Sequence, residues 1–304
     1  MRTYDIAIIG AGPAGLTASI YGERAGYSCV VLDPNPMGGG QIINTYQVDN
    51  YPGLPGISGM ELGNRMKAQA ESFGAEFLTE RVLTIKKDTD FILSTDKDKI
   101  KAKAVILAMG AKPRELGVKG ESDFRGAGVS YCATCDGAFF RNKDVAVIGG
   151  GDTALIDAIF LSRFASAVYL IHRRDEFRAA ASVVDQALKI DKIKPIYNTV
   201  VDSIEGDMSV SSLHLRDVST GKETNLSVRG VFIAVGTVPV TSDIAGLPEM
   251  DMGYIVADET GITSVPGIFA AGDIRTKKLR QVVTAASDGA NAITSADAYI
   301  RSKI

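Results

Sequence analysis

The sequence predicts an α/β protein built from two β-α-β units, with the second unit inserted into the first. Two glycine-rich segments, residues 10–15 and 149–154, each follow a strand-like apolar run and precede a helix-like one. Asp33 and His172, at the predicted ends of the following strands, each lie 23 positions after the first glycine of their segment. Because loop and helix lengths match, the two units are predicted to share one geometry.

Each element of the repeat follows from local patterns. In the second helix Leu155, Ile156, Ile159 and Phe160 recur at helical spacing, which predicts one buried face. The first unit is predicted as a strand over 4–9, a helix over 14–25 and a strand over 28–33; the second as a strand over 144–148, a helix over 153–165 and a strand over 167–171. A last helix is predicted over 282–300, with Val282, Val283, Ala286, Ala290, Ile293 and Ile300 facing inward.

The domain boundaries are predicted from two similar segments, in which an apolar run is followed by glycine and, three residues on, by proline. Glycine allows a sharp change of direction and proline ends regular structure, so Gly110…Pro113 and Gly236…Pro239 are interpreted as crossings between domains. The prediction is a discontinuous first domain, 1–112 with 242–304, and an inserted domain, 113–241. Residues 91–103 and 211–227 alternate in polarity and predict an antiparallel ribbon appended to each domain. The architecture expected is therefore two Rossmann-like domains, each with three layers in the order ββα.

Composition favours a globular cytoplasmic protein. A chain of 304 residues is longer than one core usually serves, and its net charge of −3 gives no attraction for nucleic acid or an anionic membrane. The sequence has no apolar run long enough for a membrane span, and its start passes directly into a strand, which leaves no room for a signal peptide. Three cysteines fit a reducing compartment better than a secreted disulfide scaffold.

The first glycine segment predicts a dinucleotide site. Its glycines would let backbone N–H groups approach a pyrophosphate at a helix start, and Asp33 would accept hydrogen bonds from a ribose. The alternative is a tight turn with no ligand. The residues assigned to this site are Gly10, Gly12, Pro13, Ala14, Gly15 and Asp33.

The second glycine segment differs at the position of Asp33, which is occupied by His172 followed by a cluster of arginines. Guanidinium groups would bind a 2′-phosphate that a carboxylate would repel, so this site is predicted to prefer NADPH to NADH. The alternative is a solvated basic turn. The residues assigned to this site are Gly149, Gly150, Gly151, Asp152, Thr153, Ala154, His172, Arg173, Arg174 and Arg178.

Cys132 and Cys135 have the spacing of a redox-active thiol pair. Zinc is the competing interpretation, but it needs four ligands and only Cys29 and two distant histidines are left over. Asp136 follows the pair directly. From the residues alone it is either a proton donor and acceptor for a thiol or a helix N-cap or turn residue.

Together these segments resemble the low-molecular-weight thioredoxin reductases over essentially the whole chain. The segment around Cys132 and Cys135 and the His172-Arg173-Arg174 segment are the most specific to that family and its close relatives. Further matching segments are Gly39-Gly40-Gln41, residues 48–53, and residues 267–273 with Arg280-Gln281. Ile156-Asp157 departs from the pattern, since many members have two glutamates there.

The resemblance implies FAD in the first domain, NADPH in the inserted domain, a homodimer, and thioredoxin as protein substrate. It implies that Cys135 faces the flavin, that Cys132 attacks the disulfide of the partner, and that Asp136 is the proton-transfer acid. Residues implied to line the flavin are Gly39, Gly40, Gln41, Asn50, Gly110, Gly272, Asp273, Arg280, Gln281 and Val282.

The implied path runs from NADPH through FAD to the Cys132–Cys135 disulfide and then to thioredoxin. Because the thiol pair and the NADPH site share the inserted domain, that domain is expected to rotate about the two crossings. The alternatives are a flavin disulfide reductase that is ferredoxin-linked or acts on a different thioredoxin-like protein, and a flavin redox sensor without turnover.

Overall fold

The computed structural model describes residues 1–45 and 47–303, which form two units. Unit 1 contains residues 1–112 and 238–304, and unit 2 contains residues 113–237. The chain therefore leaves unit 1 once and returns to it once. Within the described ranges, no helix combines the length and the apolar character that a membrane span requires.

Strands and short helices alternate along most of the chain. Residues 1–112 contain β1 (Arg2–Ile9), α1 (Pro13–Arg24), β2 (Cys29–Leu32), a 3₁₀ helix (Gly40–Asn44), α2 (Gly59–Ser72), β3 (Glu76–Leu78), β4 (Val82–Lys87), β5 (Phe91–Thr95), β6 (Lys99–Leu107) and the start of β7 (Ala111–Pro113). They are followed by β8 (Val129–Ser130), α3 (Ala133–Asp136), a 3₁₀ helix (Gly137–Phe140), β9 (Asp144–Ile148), α4 (Asp152–Leu161), β10 (Ala167–Ile171), α5 (Ala181–Leu188), β11 (Ile193–Ile196), β12 (Thr199–Gly206), β13 (Val210–Asp217), β14 (Glu223–Ser227) and β15 (Gly230–Ile233). The chain ends with β16 (Thr237–Pro239), β17 (Met250–Asp251), β18 (Tyr254–Ile255), β19 (Ile268–Ala270), a 3₁₀ helix (Gly272–Ile274) and α6 (Val282–Arg301).

The main sheet of unit 1 has the order β3-β2-β1-β6-β5-β4, and β19 also pairs with β6. The long strand β6 accounts for this branching. Its first half pairs antiparallel with β5, whereas Val105–Leu107 pair parallel with β19. The expected ribbon at 91–103 is therefore not a separate appendage: it joins the central sheet, because β6 runs without a break through residue 103.

Strand β2 and the C-terminal halves of β1 and β6 are buried on both faces, which explains their continuous apolar sequences. Along β1, Ile6 and Ile8 pack in the helical layer with residues of α1 and α6, and Ala7 and Ile9 pack in the layer that contains β4 and β5. This alternation is the two-residue period of a strand. Unit 1 thus has the three-layer arrangement that the sequence predicts.

Unit 2 repeats the arrangement with a five-stranded parallel sheet, β11-β10-β9-β15-β8, and a separate antiparallel sheet, β12-β13-β14. One core cluster joins the parallel sheet to α4 and α5, and a second joins it to the antiparallel sheet. The α/β fold with two Rossmann-like domains is therefore confirmed.

Two helix faces differ from the expectation. In α4, Ala154, Leu155, Ala158 and Leu161 are buried, but Ile156 is 54% exposed, and the helix ends at Leu161 rather than at residue 165. In α6 the buried face contains small residues, including Ala285, Gly289, Ala292 and Ala296, while Val283 is exposed. The predicted inward face of this helix was based mainly on its bulky residues, such as Val283 and Ile293. However, a Cβ on Gly289 would lie 2.2 Å from the Ala14 carbonyl oxygen, so α6 approaches α1 too closely for bulky residues.

Candidate functional site

The first glycine turn, in unit 1, connects β1 to α1 and leaves the start of the helix open. Gly10 has a positive φ of 105°, which favours glycine, and a Cβ on Gly15 would lie 1.9 Å from the Gly10 carbonyl oxygen. Gly12 is the N-cap and no side chain caps the helix, which begins at Pro13. The first-turn N–H groups have no side-chain acceptor at the cap, which is the arrangement that binds a phosphate.

Asp33 lies beside this turn, at the end of β2. Its carboxylate accepts the Ala11 N–H at 2.7 Å and the Asn35 N–H at 2.8 Å. The side chain therefore fixes the turn and stays partly exposed, where it can also accept a ribose hydroxyl.

A second glycine pair lies against the same turn. The Gly39 N–H donates to the Ala11 carbonyl at 2.7 Å, and a Cβ on Gly40 would lie 3.0 Å from the Gly12 Cα. Gln41 donates from its side-chain amide to the Ala111 carbonyl, next to Gly110. Close backbone approach at this point requires residues without a Cβ.

The Gly272-Asp273 segment lies beside the first glycine turn. A Cβ on Gly272 would lie 2.8 Å from the Cβ of Ala14, so this loop touches the first turn of α1. Burial raises the pKa of Asp273, and its Oδ1 atom has no hydrogen-bond partner among the residues that the structure describes. A buried carboxylate oxygen with no protein donor fits a ligand that supplies a hydroxyl group.

The start of α6 positions the remaining predicted residues. Gln281 is the N-cap and forms a capping box with Thr284, and its side-chain oxygen accepts the Asn50 amide at 3.0 Å. The Arg280 guanidinium lies 4.4 Å from the centre of the Tyr254 ring. Val282 is the first helical residue.

A buried ionic network in this region was not predicted. Asp288, on α6, accepts the Gly272 N–H at 2.8 Å and is bridged by Arg275 and Lys277, also at 2.8 Å. Burial acts to raise the pKa of Asp288, but the hydrogen bonds from both cations outweigh it and lower the pKa. The network fixes Gly272, and the only sequence signal for it was an acid on the buried face of α6.

In unit 2 the second glycine turn connects β9 to α4. A Cβ on Gly149 would lie 2.4 Å from the Ala234 carbonyl oxygen, and one on Gly150 would lie 2.3 Å from the His172 ring. Gly151 is the N-cap of α4, and no side chain caps it. Of the remaining residues of the turn, Ala154 is buried and Thr153 is exposed.

The structure separates His172 from the arginines that follow it. His172 is buried under Gly150, and desolvation, followed by the charge of Arg178, lowers its pKa. Its Nε2 atom has no partner within the described residues. Arg173, Arg174 and Arg178 are exposed.

The basic loop is held against the second turn by its backbone. The Arg178 N–H donates to the Gly150 carbonyl at 2.7 Å, and the Ala180 N–H donates to the Asp152 carboxylate at 2.8 Å. The arginine side chains therefore project from a loop that touches the glycine turn. This position suits a phosphate close to the turn.

Cys132 and Cys135, also in unit 2, form a disulfide with a Cα–Cα distance of 5.3 Å. Both sulfurs are occupied by this bond, and within 1–45 and 47–303 no group of three or more His, Cys, Asp or Glu side chains could hold a metal. Asp136 ends α3 and makes no capping hydrogen bond, so it does not act as an N-cap. Its Oδ2 accepts the Ser130 hydroxyl at 2.6 Å, and burial raises its pKa despite that bond.

Tyr131, the residue before the disulfide, is fixed by a buried acid. Glu121, which is 4% exposed, accepts the Tyr131 hydroxyl at 2.8 Å and the backbone N–H groups of Leu116 and Gly117. Burial and this hydrogen bond raise the pKa of Tyr131. No local sequence pattern predicted this contact.

The chain is similar to known proteins over almost its whole length. The family model for pyridine nucleotide-disulphide oxidoreductases matches residues 4–289. The chain is 46% identical to a thioredoxin reductase of Treponema pallidum, an alignment that covers 98% of this chain and 97% of that protein. It is 44% identical to one of Listeria innocua, with 98% and 94% covered. The crystal structure of a Streptococcus pyogenes thioredoxin reductase aligns with a TM-score of 0.92 at 43% identity and covers 99% of each chain.

Proposed function

The chain belongs to the pyridine nucleotide-disulphide oxidoreductases and, among them, to the low-molecular-weight thioredoxin reductases, and from that premise we propose how its residues act. NADPH provides the electrons, FAD is the bound cofactor, and thioredoxin is reduced through the Cys132–Cys135 disulfide. The observation that carries the proposal is this disulfide beside the half-buried Asp136, in the unit that also contains the glycine turn with the arginine loop.

The residues of unit 1 fit FAD. The turn of Gly10, Gly12 and Gly15 would bind the pyrophosphate, and Asp33 the adenosine ribose. The unpartnered Asp273 oxygen would accept a hydroxyl, and the start of α6 would favour negative charge. When bound, FAD supplies the two-electron chemistry that links a nicotinamide to a disulfide.

NADPH is assigned to unit 2. The second glycine turn and the first turn of α4 would bind its pyrophosphate, and Arg173, Arg174 and Arg178 its 2′-phosphate. His172 supports the turn because its ring packs against Gly150.

The exchange with thioredoxin starts from the reduced pair. The Cys132 thiolate attacks one sulfur of the thioredoxin disulfide, that S–S bond breaks, and the leaving sulfur takes the electron pair and a proton from Asp136. The Cys135 thiolate then attacks Cys132, which releases the second thioredoxin sulfur and re-forms the Cys132–Cys135 bond. Burial of Asp136 favours the protonated form that this role requires.

Domain rotation remains part of the proposal. Gly110 and Gly236, which flank the crossings, have φ values of 72° and 106°, and a Cβ on Gly236 would meet no atom within 4 Å. An engineered cross-link that fixes the two crossing segments should stop turnover and leave FAD binding intact. Full turnover in the locked protein would exclude rotation. Homodimerisation and a cytoplasmic setting are further expectations, from the family and from the cysteine content.

The assignment is tested with Cys132→Ser. This variant should lose thioredoxin reduction, because it lacks both the disulfide and the attacking thiol. Addition of NADPH should still change the absorbance of the bound flavin, because transfer from NADPH to FAD does not involve this sulfur. The matched control is Cys29→Ala, which removes the buried free cysteine and should retain turnover. Thioredoxin reduction by Cys132→Ser would show that the roles are wrong.

A further inference from the structure

Ser130 connects the two chemical groups of the disulfide segment. It is the last residue of β8 and is 5% exposed. Its hydroxyl oxygen accepts the Cys132 N–H at 3.1 Å, and its hydroxyl hydrogen is donated to Asp136 Oδ2 at 2.6 Å. One buried side chain therefore bonds both the first redox cysteine and the acid next to the second.

We propose that Ser130 is a positioning residue: it holds the Asp136 carboxyl group in place and keeps a hydrogen bond to it whether the carboxyl group is ionised or protonated. A hydroxyl has one hydrogen to donate and two lone pairs to accept with. While Asp136 is ionised, the hydrogen of Ser130 is directed to the carboxylate. The inference rests on the proposed function, since it assigns a task to Asp136 that thioredoxin reduction requires.

A second acceptor makes this role reversible. The Cys132 carbonyl oxygen lies 3.4 Å from the Ser130 hydroxyl. When Asp136 is protonated, its O–H can donate to the Ser130 oxygen, and the serine hydrogen turns to that carbonyl. The contact between Ser130 and Asp136 persists in both protonation states, so the acid stays in place when its proton leaves.

The surroundings identify Ser130 as the main favourable contact of the ionised acid. Burial raises the pKa of Asp136, and the Ser130 hydrogen bond lowers it. The helix packed against α3 is α4, which has two titratable residues of its own, Asp152 and Asp157. The Asp152 carboxylate is bonded to the Ala180 N–H, and burial raises the pKa of Asp157 to about 6. Neither acid supplies positive charge to Asp136.

The test is a titration of the aspartate carboxyl groups by ¹³C NMR in the oxidised, FAD-loaded protein, where Cys132 and Cys135 do not titrate. Asp136→Asn identifies the signal. Ser130→Ala should move the midpoint of Asp136 upward by about one pH unit, because it removes a hydrogen bond to the charged form. Ser130→Thr retains the hydroxyl and should remain within a few tenths of a unit of the parent.

The matched control is Ser122→Ala. Ser122 is an exposed serine of the same unit whose hydroxyl lies 3.5 Å from the Asp123 carboxylate, so its loss should not move the midpoint of Asp136. An unchanged midpoint in Ser130→Ala, or an equal shift in Ser122→Ala, would overturn the inference. Should Ser130→Ala unfold, an unshifted Ser130→Thr would support the inference and a midpoint raised by one unit would overturn it.

Thioredoxin turnover is measured separately on the same proteins. A shifted midpoint together with absent turnover in the parent would refute the proposed function and leave the Ser130 contact established. Normal turnover with no shift would refute only the role of Ser130.

Discussion

The two glycine turns share a backbone plan and differ in where their carboxylates bond. In unit 1, Asp33 at the strand end accepts an N–H of the turn itself. In unit 2 the matching position holds His172, which is buried under Gly150. The carboxylate near this turn is instead that of Asp152, which accepts the Ala180 N–H of the basic loop. On the proposed function, the same topology would thus accept a ribose in one unit and a ribose phosphate in the other.

On the proposed function, ligand choice would depend on a few side chains around a shared turn. A carboxylate beside the first turn can accept ribose hydroxyls but would repel a phosphate. In the second turn the residue directly after β10 is His172 rather than a carboxylate, and the exposed arginines lie on a loop bonded to Gly150. Substitutions in one turn should therefore affect one nucleotide and spare the other.

The largest effect is expected for Gly15→Ala. The added methyl would lie 1.9 Å from the Gly10 carbonyl oxygen, so the free energy of unfolding should fall by about 2–3 kcal/mol and FAD binding should be lost. Gly12→Ala is the matched variant, because its methyl would have Gly40 Cα as nearest atom, at 3.9 Å. It should cost about 1 kcal/mol or less and weaken only the binding of FAD. Equal unfolding free energies for the two variants, from denaturant titration, would contradict the account.

A smaller effect is expected from the double variant Arg173→Ala and Arg178→Ala. The ratio of kcat/KM for NADPH to that for NADH should fall about thirtyfold, which is about 2 kcal/mol and close to the value of one charge-assisted hydrogen bond. Arg163→Ala, another exposed arginine of unit 2, should leave the ratio unchanged. An unaltered ratio in the double variant would place the phosphate elsewhere.

The smallest effect concerns Asp157, on the helix of the second turn. Its pKa is raised by burial from 3.8 to about 6, so the stability that the neutral acid confers is complete below pH 3.8 and is lost as the pH rises through about 6. Asp157→Asn should therefore unfold with a free energy about 1–2 kcal/mol above the parent at pH 8 and equal to it near pH 4. Denaturant titrations at both pH values measure this, with the exposed Asp185→Asn as control. A constant difference between the two pH values would refute the cause given for the shift.

The fold was predictable because the signals that determine it are local and repeated. Equal spacing from Gly10 to Asp33 and from Gly149 to His172 indicates two copies of one unit without any knowledge of packing. The crossing predicted at 241/242 lies at 237/238 in the structure. Ile156 shows the limit of prediction from helical spacing. The spacing identifies the residues that share a helix face but not the neighbours that cover this face, and Ile156 is exposed.

The site could be predicted where the functional residues are neighbours in the sequence. It could not be predicted where it depends on contacts between residues that are further apart in the sequence. The spacing of Cys132 and Cys135 alone indicates a thiol pair, whereas the role expected of Asp136 comes from the resemblance to the family. Asp288 bonds Gly272 from another element, and Glu121 bonds Tyr131, which lies 10 positions further along the chain. Nothing in the local sequence of either acid reports such a partner.

On the proposed function, electrons from NADPH open the Cys132–Cys135 bond within this chain. The most direct measurement is an anaerobic titration of the FAD-loaded protein with NADPH in the absence of thioredoxin, followed by thiol alkylation and mass spectrometry. We predict that both Cys132 and Cys135 are alkylated, in the parent and in Cys29→Ala. A disulfide that remains closed after excess NADPH would contradict it.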